Sequence, residues 1–198
     1  MTDYDYDVFI SYHRGGPVQQ WVDQWFEQFL TTYLAFELDD EPRVFRDAHD
    51  LRTGDKWRSV LVTALGRTKC LVPIYTPTYF RSAWCSAEWS CFLERERATQ
   101  RDLIVPVQWH SSDKFPAEAK LSQLADFREF ALVGPAFRNT EGFLLFERRM
   151  KEFCRDLARK VENAPPRDPA WNVRLPEQDI VLRPAIRRPV FRDEREHV

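Results

Sequence analysis

A carboxylate between two tryptophans is the group in this sequence best suited to chemistry, in the run Trp84-Cys85-Ser86-Ala87-Glu88-Trp89. It stands at the predicted start of a helix, after an apolar run (residues 70–75) and a Thr-Pro turn. In an open α/β sheet, ligands bind at the carboxyl ends of the strands. A glutamate there can accept hydrogen bonds from sugar hydroxyls and stabilise positive charge on a ribose ring, while an indole one helical turn earlier excludes solvent. The alternative, which the spacing alone favours, is a solvated Glu88 stabilised by the helix dipole.

The other residue types that often carry chemistry form no comparable group. The four histidines are scattered, and the four cysteines lack paired C-x-x-C spacing, so no metal site is predicted. Ser11 and Ser82 have no base at an evident spacing, which makes a hydrolase triad improbable. Asp47 and Asp50 lie beside His49, but a solvated loop is the better interpretation of that run.

Composition excludes several classes of function. The chain has 198 residues, of which 43% are hydrophobic, and a formal net charge of -2. This predicts one packed domain without the basic excess of a nucleic-acid-binding protein. No apolar run approaches the roughly 20 residues that span a bilayer, and the first residues are acidic and polar. We therefore expect a cytoplasmic protein with reduced cysteines, acting without nucleic acid or membrane.

Strand-like and helix-like patterns alternate along the chain. Apolar runs rich in β-branched and aromatic residues predict strands at residues 6–12, 43–46, 69–75 and 103–109, with a weak fifth strand at 127–132. Pro106 predicts an edge position or a local irregularity for the fourth strand. The clearest helix runs from Val18 to Leu34. A second helix is predicted after Trp57, a third begins near Glu88, and a fourth ends near Val161. Residues 115–124 form a loop that is compatible with a short helix.

This alternation predicts a parallel sheet with right-handed crossovers and helices on both faces. Three loops would then share one rim of the sheet, at residues 13–17, 47–55 and 75–84. Glu88 would stand at the entrance between them.

The composition changes at Ala164. Six of the 13 prolines fall between residues 165 and 189, interleaved with arginines. Because proline lacks a donor and fixes its own backbone angle, no long helix or central strand is compatible with this segment. We predict a domain at residues 1–163 and an extended tail at 164–198, with Trp171 or residues 180–182 as its candidate contacts with the domain.

Four stretches together resemble the Toll/interleukin-1 receptor (TIR) domain, from about Tyr4 to about Val161. They are Tyr6-Asp7-Val8-Phe9-Ile10-Ser11-Tyr12; Val44-Phe45-Arg46-Asp47 with Leu51-Arg52-Thr53-Gly54; Lys69-Cys70-Leu71-Val72-Pro73-Ile74-Tyr75-Thr76; and Ser82-Ala83-Trp84-Cys85-Ser86-Ala87-Glu88. The resemblance implies a flavodoxin-like α/β fold, a three-layer sandwich with a five-stranded parallel sheet. It also implies one of two activities: cleavage of NAD⁺ at the nicotinamide–ribose bond, as in many bacterial and plant members, or association alone.

The resemblance also assigns candidate residues. Glu88 corresponds to the catalytic glutamate of the enzymes and Trp84 to the tryptophan before it. For substrate binding, it implies Tyr12, His13, Arg14 and Asp47. The BB loop, an association segment of the family, would include Asp50, Leu51, Arg52 and Gly54. His13 occupies a position that is basic in some enzymes, so its charge depends on pH.

NAD⁺ would be a substrate here and no cofactor is expected, since the chain has only six glycines and no G-x-G-x-x-G fingerprint. Nicotinamide departs neutral and needs no proton, so the difficult species is the oxocarbenium-like ribose. One ionised carboxylate in a partly desolvated pocket can stabilise it. Arg14 or a neighbouring subunit would neutralise the pyrophosphate, and Trp84 would limit water.

The first hypothesis is therefore an NAD⁺ glycohydrolase or cyclase in bacterial antiphage or similar immune signalling, switched on by self-association. A separate sensor or effector protein is a further candidate partner. The second is a non-enzymatic interaction module that uses residues 47–55. A third, another flavodoxin-like binder of nucleotide or flavin, has no specific feature in its favour.

Overall fold

A five-stranded parallel sheet forms the centre of the structure, a computed structural model that describes residues 4–46 and 54–176. Its strands are β1 (Tyr6–Ser11), β2 (Val44–Arg46), β3 (Thr68–Tyr75), β4 (Val107–Gln108) and β5 (Ala125–Asp126). They lie in the order β2-β1-β3-β4-β5, and every pair is parallel. The reversal of strand order beside β1 places the ends of β1 and β3 where open α/β sheets bind ligands.

Helices cover both faces of the sheet. They are α1 (Gly16–Trp21), α2 (Glu27–Leu34), α3 (Gly54–Gly66), α4 (Ala83–Thr99), α5 (Ala117–Leu121) and α6 (Glu141–Glu162). One buried cluster joins α1, α2 and α6 to one face, and a second joins α3, α4 and α5 to the other. The expected flavodoxin-like three-layer α/β architecture is therefore confirmed.

The long amphipathic helix predicted from Val18 to Leu34 is present but not uniform. A π-helical turn, Val22–Phe26, separates α1 from α2. Its side chains Trp25 and Phe26 are buried beside Trp21, in the cluster that faces α6. Residues that the periodicity predicts on the buried face, among them Trp21, Phe26 and Leu30, are buried within this turn and on both sides of it.

The predicted fifth strand at residues 127–132 is wrong. The strand is Ala125–Asp126, and Arg128–Phe130 is a turn of 3-10 helix. Asp126 Oδ1 accepts the backbone N–H of Arg128 at 3.0 Å, which turns the chain out of the sheet. The aromatic residues in this run are buried in the core instead. The Phe130 carbonyl accepts a hydrogen bond from the indole N–H of Trp21 at 2.7 Å.

The predicted fourth strand is much shorter than residues 103–109. Only Val107–Gln108 is regular, preceded by an isolated bridge between Leu71 and Ile104. An edge position for Pro106 is wrong, because β4 pairs with both β3 and β5. The alternative of a local irregularity is correct: Pro106 has no N–H to give, but its carbonyl accepts from Ala125 at 2.9 Å.

A buried carboxylate ties the first strand to its neighbours. Asp7 is 5% exposed, accepts the backbone N–H of Arg43 at 2.9 Å and pairs with Lys69 at 2.8 Å. Burial opposes ionisation of Asp7, but the hydrogen bonds from Lys69 and Arg43 outweigh it and hold its pKa below the ordinary value. The ionised form is therefore favoured by folding.

Replacing Asp7 by asparagine is expected to lower the free energy of unfolding at pH 7 by about 2 kcal/mol, since Lys69 loses its buried partner. A depressed folded-state pKa stabilises the protein above the unfolded pKa, and this contribution is lost as pH falls. The difference between the two proteins should thus shrink towards pH 3, as measured by urea unfolding. Asp5→Asn, which removes a more exposed ion pair with Arg67, is the control; an equal loss in both variants would contradict the assignment.

Candidate active site

The site lies where β1 and β3 end and α4 begins. Ser82 is the N-cap of α4, and its Oγ accepts the backbone N–H of Cys85 at 3.3 Å. The helix that starts there presents Glu88 to the sheet, where the residue is only 6% exposed. The solvated Glu88 considered from sequence is therefore wrong.

Glu88 is held by a chain of hydroxyl groups. Ser11, the last residue of β1, donates its hydroxyl to Glu88 Oε2 at 2.5 Å. The Tyr79 hydroxyl lies 2.8 Å from the same Ser11 oxygen and donates to it, since the serine proton is already used. Within residues 4–46 and 54–176, the other carboxylate oxygen of Glu88 accepts no hydrogen bond.

The surroundings of Glu88 favour its neutral form. Burial raises the pKa of this carboxyl to about 7, although the hydrogen bond from Ser11 and the charge of Arg14 lower it. A carboxyl with a pKa near neutrality in a largely apolar site is typical of functional positions. Both the neutral and the ionised form of Glu88 are then accessible near neutral pH.

Two tryptophans and an arginine form a stack beside this carboxyl. Trp57 on α3 contacts Trp84 edge to face, with ring centroids 4.7 Å apart. The guanidinium carbon of Arg14 lies 4.9 Å from the Trp57 ring centroid. Burial lowers the pKa of Arg14, and the negative charge of Glu88 opposes this. The stack places a cation and an apolar wall next to one acidic group.

A TIR domain family model matches residues 8–136, which is more than half of the chain. This chain belongs to the TIR domain family. The match includes β1, Glu88 and most of the sheet, but ends before α6.

This TIR domain is similar to two solved structures. One is the TIR domain of the Toll-related receptor TRR-2 from the lower metazoan Hydra magnipapillata, at 16% identity over 73% of this chain and 98% of that chain, with a TM-score of 0.48. The other is the TIR domains of the activated Roq1 resistosome directly recognizing the pathogen effector XopQ, at 23% identity over 78% of this chain and 84% of that chain, with a TM-score of 0.40. Both TM-scores are below 0.5, so the fold assignment relies on the strand order and the family match.

The structure brings some of the TIR candidate residues together and separates others. Glu88, Trp84 and Arg14 surround the site described above. His13, which precedes Arg14 in the chain, is partly buried. Burial and the charge of Arg81 lower the pKa of His13. Tyr12 belongs to the cluster on the opposite face of the sheet, where it is 7% exposed and burial raises its pKa to about 12.

Most of the predicted BB-loop residues cannot be placed. Asp47, Asp50, Leu51 and Arg52 lie outside the described residues, while Gly54 is the first residue of α3. Their assignments remain predictions.

Ser11, Tyr79 and Trp57 belong to the site without having been assigned to it from sequence. In the sequence no base lies at a short spacing from Ser11, because its partner, Glu88, lies 77 residues further along the chain. The alternation of side chains along β1 offered one signal, since Phe9 and Ser11 share a face that Tyr12 does not. The sequence marks Trp57 only as the start of a predicted helix.

The remaining features give no second candidate for this chemistry. A groove of about 970 Å³ lies between the end of α4, α5 and α6, away from Glu88. In the described part of the chain, no group of three or more acidic, cysteine or histidine side chains could hold a metal ion. No described helix is both long and apolar enough to span a membrane. All four cysteines are buried and free.

Proposed function

We propose that this TIR domain cleaves NAD⁺ at the nicotinamide–ribose bond, releasing nicotinamide and forming ADP-ribose or a cyclic isomer. One observation carries the proposal. The buried carboxyl of Glu88 on α4 lies beside the end of β1, with one oxygen fixed by Ser11 and the other without a partner among the described residues. In the proposed complex that second oxygen would accept a hydrogen bond from a ribose hydroxyl. The family contains NAD⁺-cleaving enzymes, and the resemblance of the Trp84–Glu88 spacing to theirs supports the proposal.

The environment of Glu88 suits charge stabilisation better than proton transfer. Nicotinamide leaves as a neutral base, so the reaction needs no acid, and positive charge develops on the ribose ring. An ionised carboxylate interacts with that charge far more strongly in a buried site than in water. The positive charge of the bound substrate would also favour ionisation of Glu88, offsetting the effect of burial.

The neighbouring residues have roles that follow from their chemistry. Arg14 would pair with the pyrophosphate, since a guanidinium is well matched to phosphate oxygens. Trp57 holds both Arg14 and Trp84 in place through ring contacts. The two indoles would limit the access of water, which favours cyclisation over hydrolysis when an internal nucleophile is present.

The biological setting is a further part of the proposal. We infer that the enzyme acts in bacterial antiphage or similar immune signalling and that TIR–TIR contacts activate it. Residues 47–53, which include most of the association segment that the sequence predicts, would contact a neighbouring copy.

The deciding experiment follows NAD⁺ with the full purified chain at rising protein concentration, with and without a crowding agent, and separates products by chromatography. We expect nicotinamide to appear together with ADP-ribose or its cyclic isomer, at a specific rate that rises with protein concentration. No loss of NAD⁺ at the highest concentration under crowding would reject the enzymatic proposal.

The Ser11 hydroxyl is expected to set the pH range of this activity. Because the ionised carboxylate is needed, turnover should rise through about pH 7, where Glu88 loses its proton. Ser11→Ala removes a hydrogen bond that stabilises the ionised form, so the midpoint should move up by about one pH unit, with a several-fold lower rate at pH 7. Profiles of kcat/KM against pH, which report the free enzyme, measure this, with Ser90→Ala on the exposed side of α4 as control. An unmoved midpoint would contradict the role of Ser11.

A non-enzymatic association module remains the second candidate. The low exposure of Glu88 and its hydrogen bond to Ser11 favour it, since a carboxylate can serve only to join α4 to β1. This candidate predicts no NAD⁺ loss but self-association that weakens on substitution of Leu51 or Arg52. Sedimentation of these variants, alongside the NAD⁺ assay, distinguishes the two candidates.

A further inference from the structure

A segment after the last helix packs along α3 and α4. From Ala164 to Pro176 the chain forms no helix or strand. Leu175 is nevertheless buried in the cluster shared by α3 and α4, with Ala164 and Val173 packed against it. We call residues 164–176 the strap.

The strap is fixed to α3 at both ends of that helix. The side-chain Nε of Arg167 donates to the carbonyl of Gly66, the last residue of α3, at 3.1 Å. Arg58, near the start of α3, donates to the Leu175 carbonyl at 3.0 Å. The strap therefore runs along α3 in the opposite direction to the helix. The Tyr4 hydroxyl adds a bond to the Pro165 carbonyl at 2.8 Å.

A cation between two rings fixes the strap to α4. The guanidinium carbon of Arg95 lies 4.3 Å from the Phe92 ring centroid and 4.8 Å from that of Trp171. Arg95 follows Glu88 by seven residues, two helical turns, so both project from the same side of α4. The helix face that carries the candidate catalytic group thus also carries the anchor of the strap.

The anchor is electrostatically costly. Arg95 is 2% exposed, and none of its three guanidinium nitrogens has a hydrogen-bond acceptor within residues 4–46 and 54–176. Burial lowers its pKa to about 10. Contacts with two ring faces offset only part of the hydration free energy that a guanidinium loses when it leaves water. No carboxylate of the described chain pairs with Arg95.

The closed strap is therefore a balance of opposing terms. Burial of Leu175 and Trp171, together with the hydrogen bonds to α3, favours closure. The hydration of Arg95 and the conformational freedom of a segment without secondary structure favour opening.

We propose that the strap is a releasable clamp: Trp171 closes over Arg95 to hold α3 against α4, and opening returns the guanidinium to water. Opening would loosen the two helices that bring Trp57 and Trp84 together. This inference does not depend on NAD⁺ cleavage, because the clamp acts on the packing of the domain whatever its activity.

Hydrogen exchange of the full chain, read by mass spectrometry, tests the proposal with two variants. Trp171→Ala removes the closing ring, so amides of α3 and α4 should exchange about tenfold faster, while those of β1 and α6 keep their wild-type rates. Arg95→Met keeps an unbranched side chain of similar reach but removes the uncompensated charge. It should close the strap more firmly and slow exchange of α3 and α4 several-fold. Phe36→Ala and Arg97→Met, at exposed positions, are the matched controls.

Two outcomes would overturn the proposal. Faster exchange of α3 and α4 in Arg95→Met would make Arg95 a simple structural anchor. Unchanged exchange of both helices in Trp171→Ala would show that the strap does not clamp them. Protection of β1 and α6 reports in the same data whether each variant is folded, and Trp171→Phe, which keeps a ring over Arg95, should give intermediate rates.

Discussion

Replacing Glu88 by glutamine is expected to reduce NAD⁺ cleavage by about a hundredfold to a thousandfold. Glutamine keeps the size of the side chain and can still accept the hydrogen bond from Ser11, so the packing of α4 on β1 should persist. In the proposed reaction the negative charge of Glu88 stabilises the ribose cation, and glutamine cannot carry that charge. Removal of such a preorganised interaction costs on the order of 10²–10³ in kcat. Release of nicotinamide, followed by chromatography, measures the loss.

Glu94→Gln is the matched control, since Glu94 lies on the exposed side of the same helix. It should cleave NAD⁺ at the wild-type rate. If Glu88→Gln retained that rate as well, Glu88 would be a structural residue and the association module would be the better interpretation of this TIR domain.

The sequence predicted those parts of the fold that short-range patterns specify. The apolar runs of β1 and β3 and the periodicity from Val18 to Leu34 identified a parallel sheet with two helical layers. The same signal misplaced β5, because the aromatic residues from Phe127 to Phe130 are buried by a turn rather than by a strand. Apolar character reports burial, but the hydrogen bond from Arg128 to Asp126 decides the backbone conformation.

The candidate site was predictable at the level of its acidic group but not of its supporting contacts. Glu88, Trp84 and Arg14 followed from residue type, helical spacing and resemblance. The hydrogen bond between Ser11 and Glu88 joins residues 77 positions apart and depends on the strand order, which no local pattern contains. Tyr12, a substrate-binding candidate from the resemblance, lies on the opposite face of the sheet from Ser11. A shift of one residue along a strand moves a side chain to the other face.

The strap illustrates a third limit. In its described part, residues 164–176, the proline-rich tail forms no helix or strand, and Trp171 is one of the contacts with the domain that the sequence suggests. The sequence did not indicate that the partner of Trp171 is a buried arginine. An arginine on a helix is ordinarily exposed to solvent. Arg95 on α4 is instead covered by Trp171 of the strap.

Glu88→Gln is also expected to make the protein more stable at alkaline pH, by about 3 kcal/mol at pH 8.5. The pKa of Glu88 is about 7 in the folded protein and about 4.5 in an unfolded chain. Folding therefore favours the protonated form. The protein has its full stability from this group below about pH 4.5 and loses it as pH rises through 7, because each unit of pKa difference corresponds to about 1.4 kcal/mol. A neutral amide avoids that loss.

Urea unfolding of the wild type and Glu88→Gln at pH 4.5 and pH 8.5 measures the effect. The two proteins should have nearly equal free energies of unfolding at the lower pH and diverge at the higher one, whereas Glu94→Gln should follow the wild type within about 0.5 kcal/mol at both. A variant that is less stable than the wild type at pH 8.5 would mean that the carboxylate joins α4 to β1 favourably, as the association module requires. A stable but inactive variant would instead show that the chain sacrifices stability to keep a charge beside the ribose, as enzymes commonly do at their active sites.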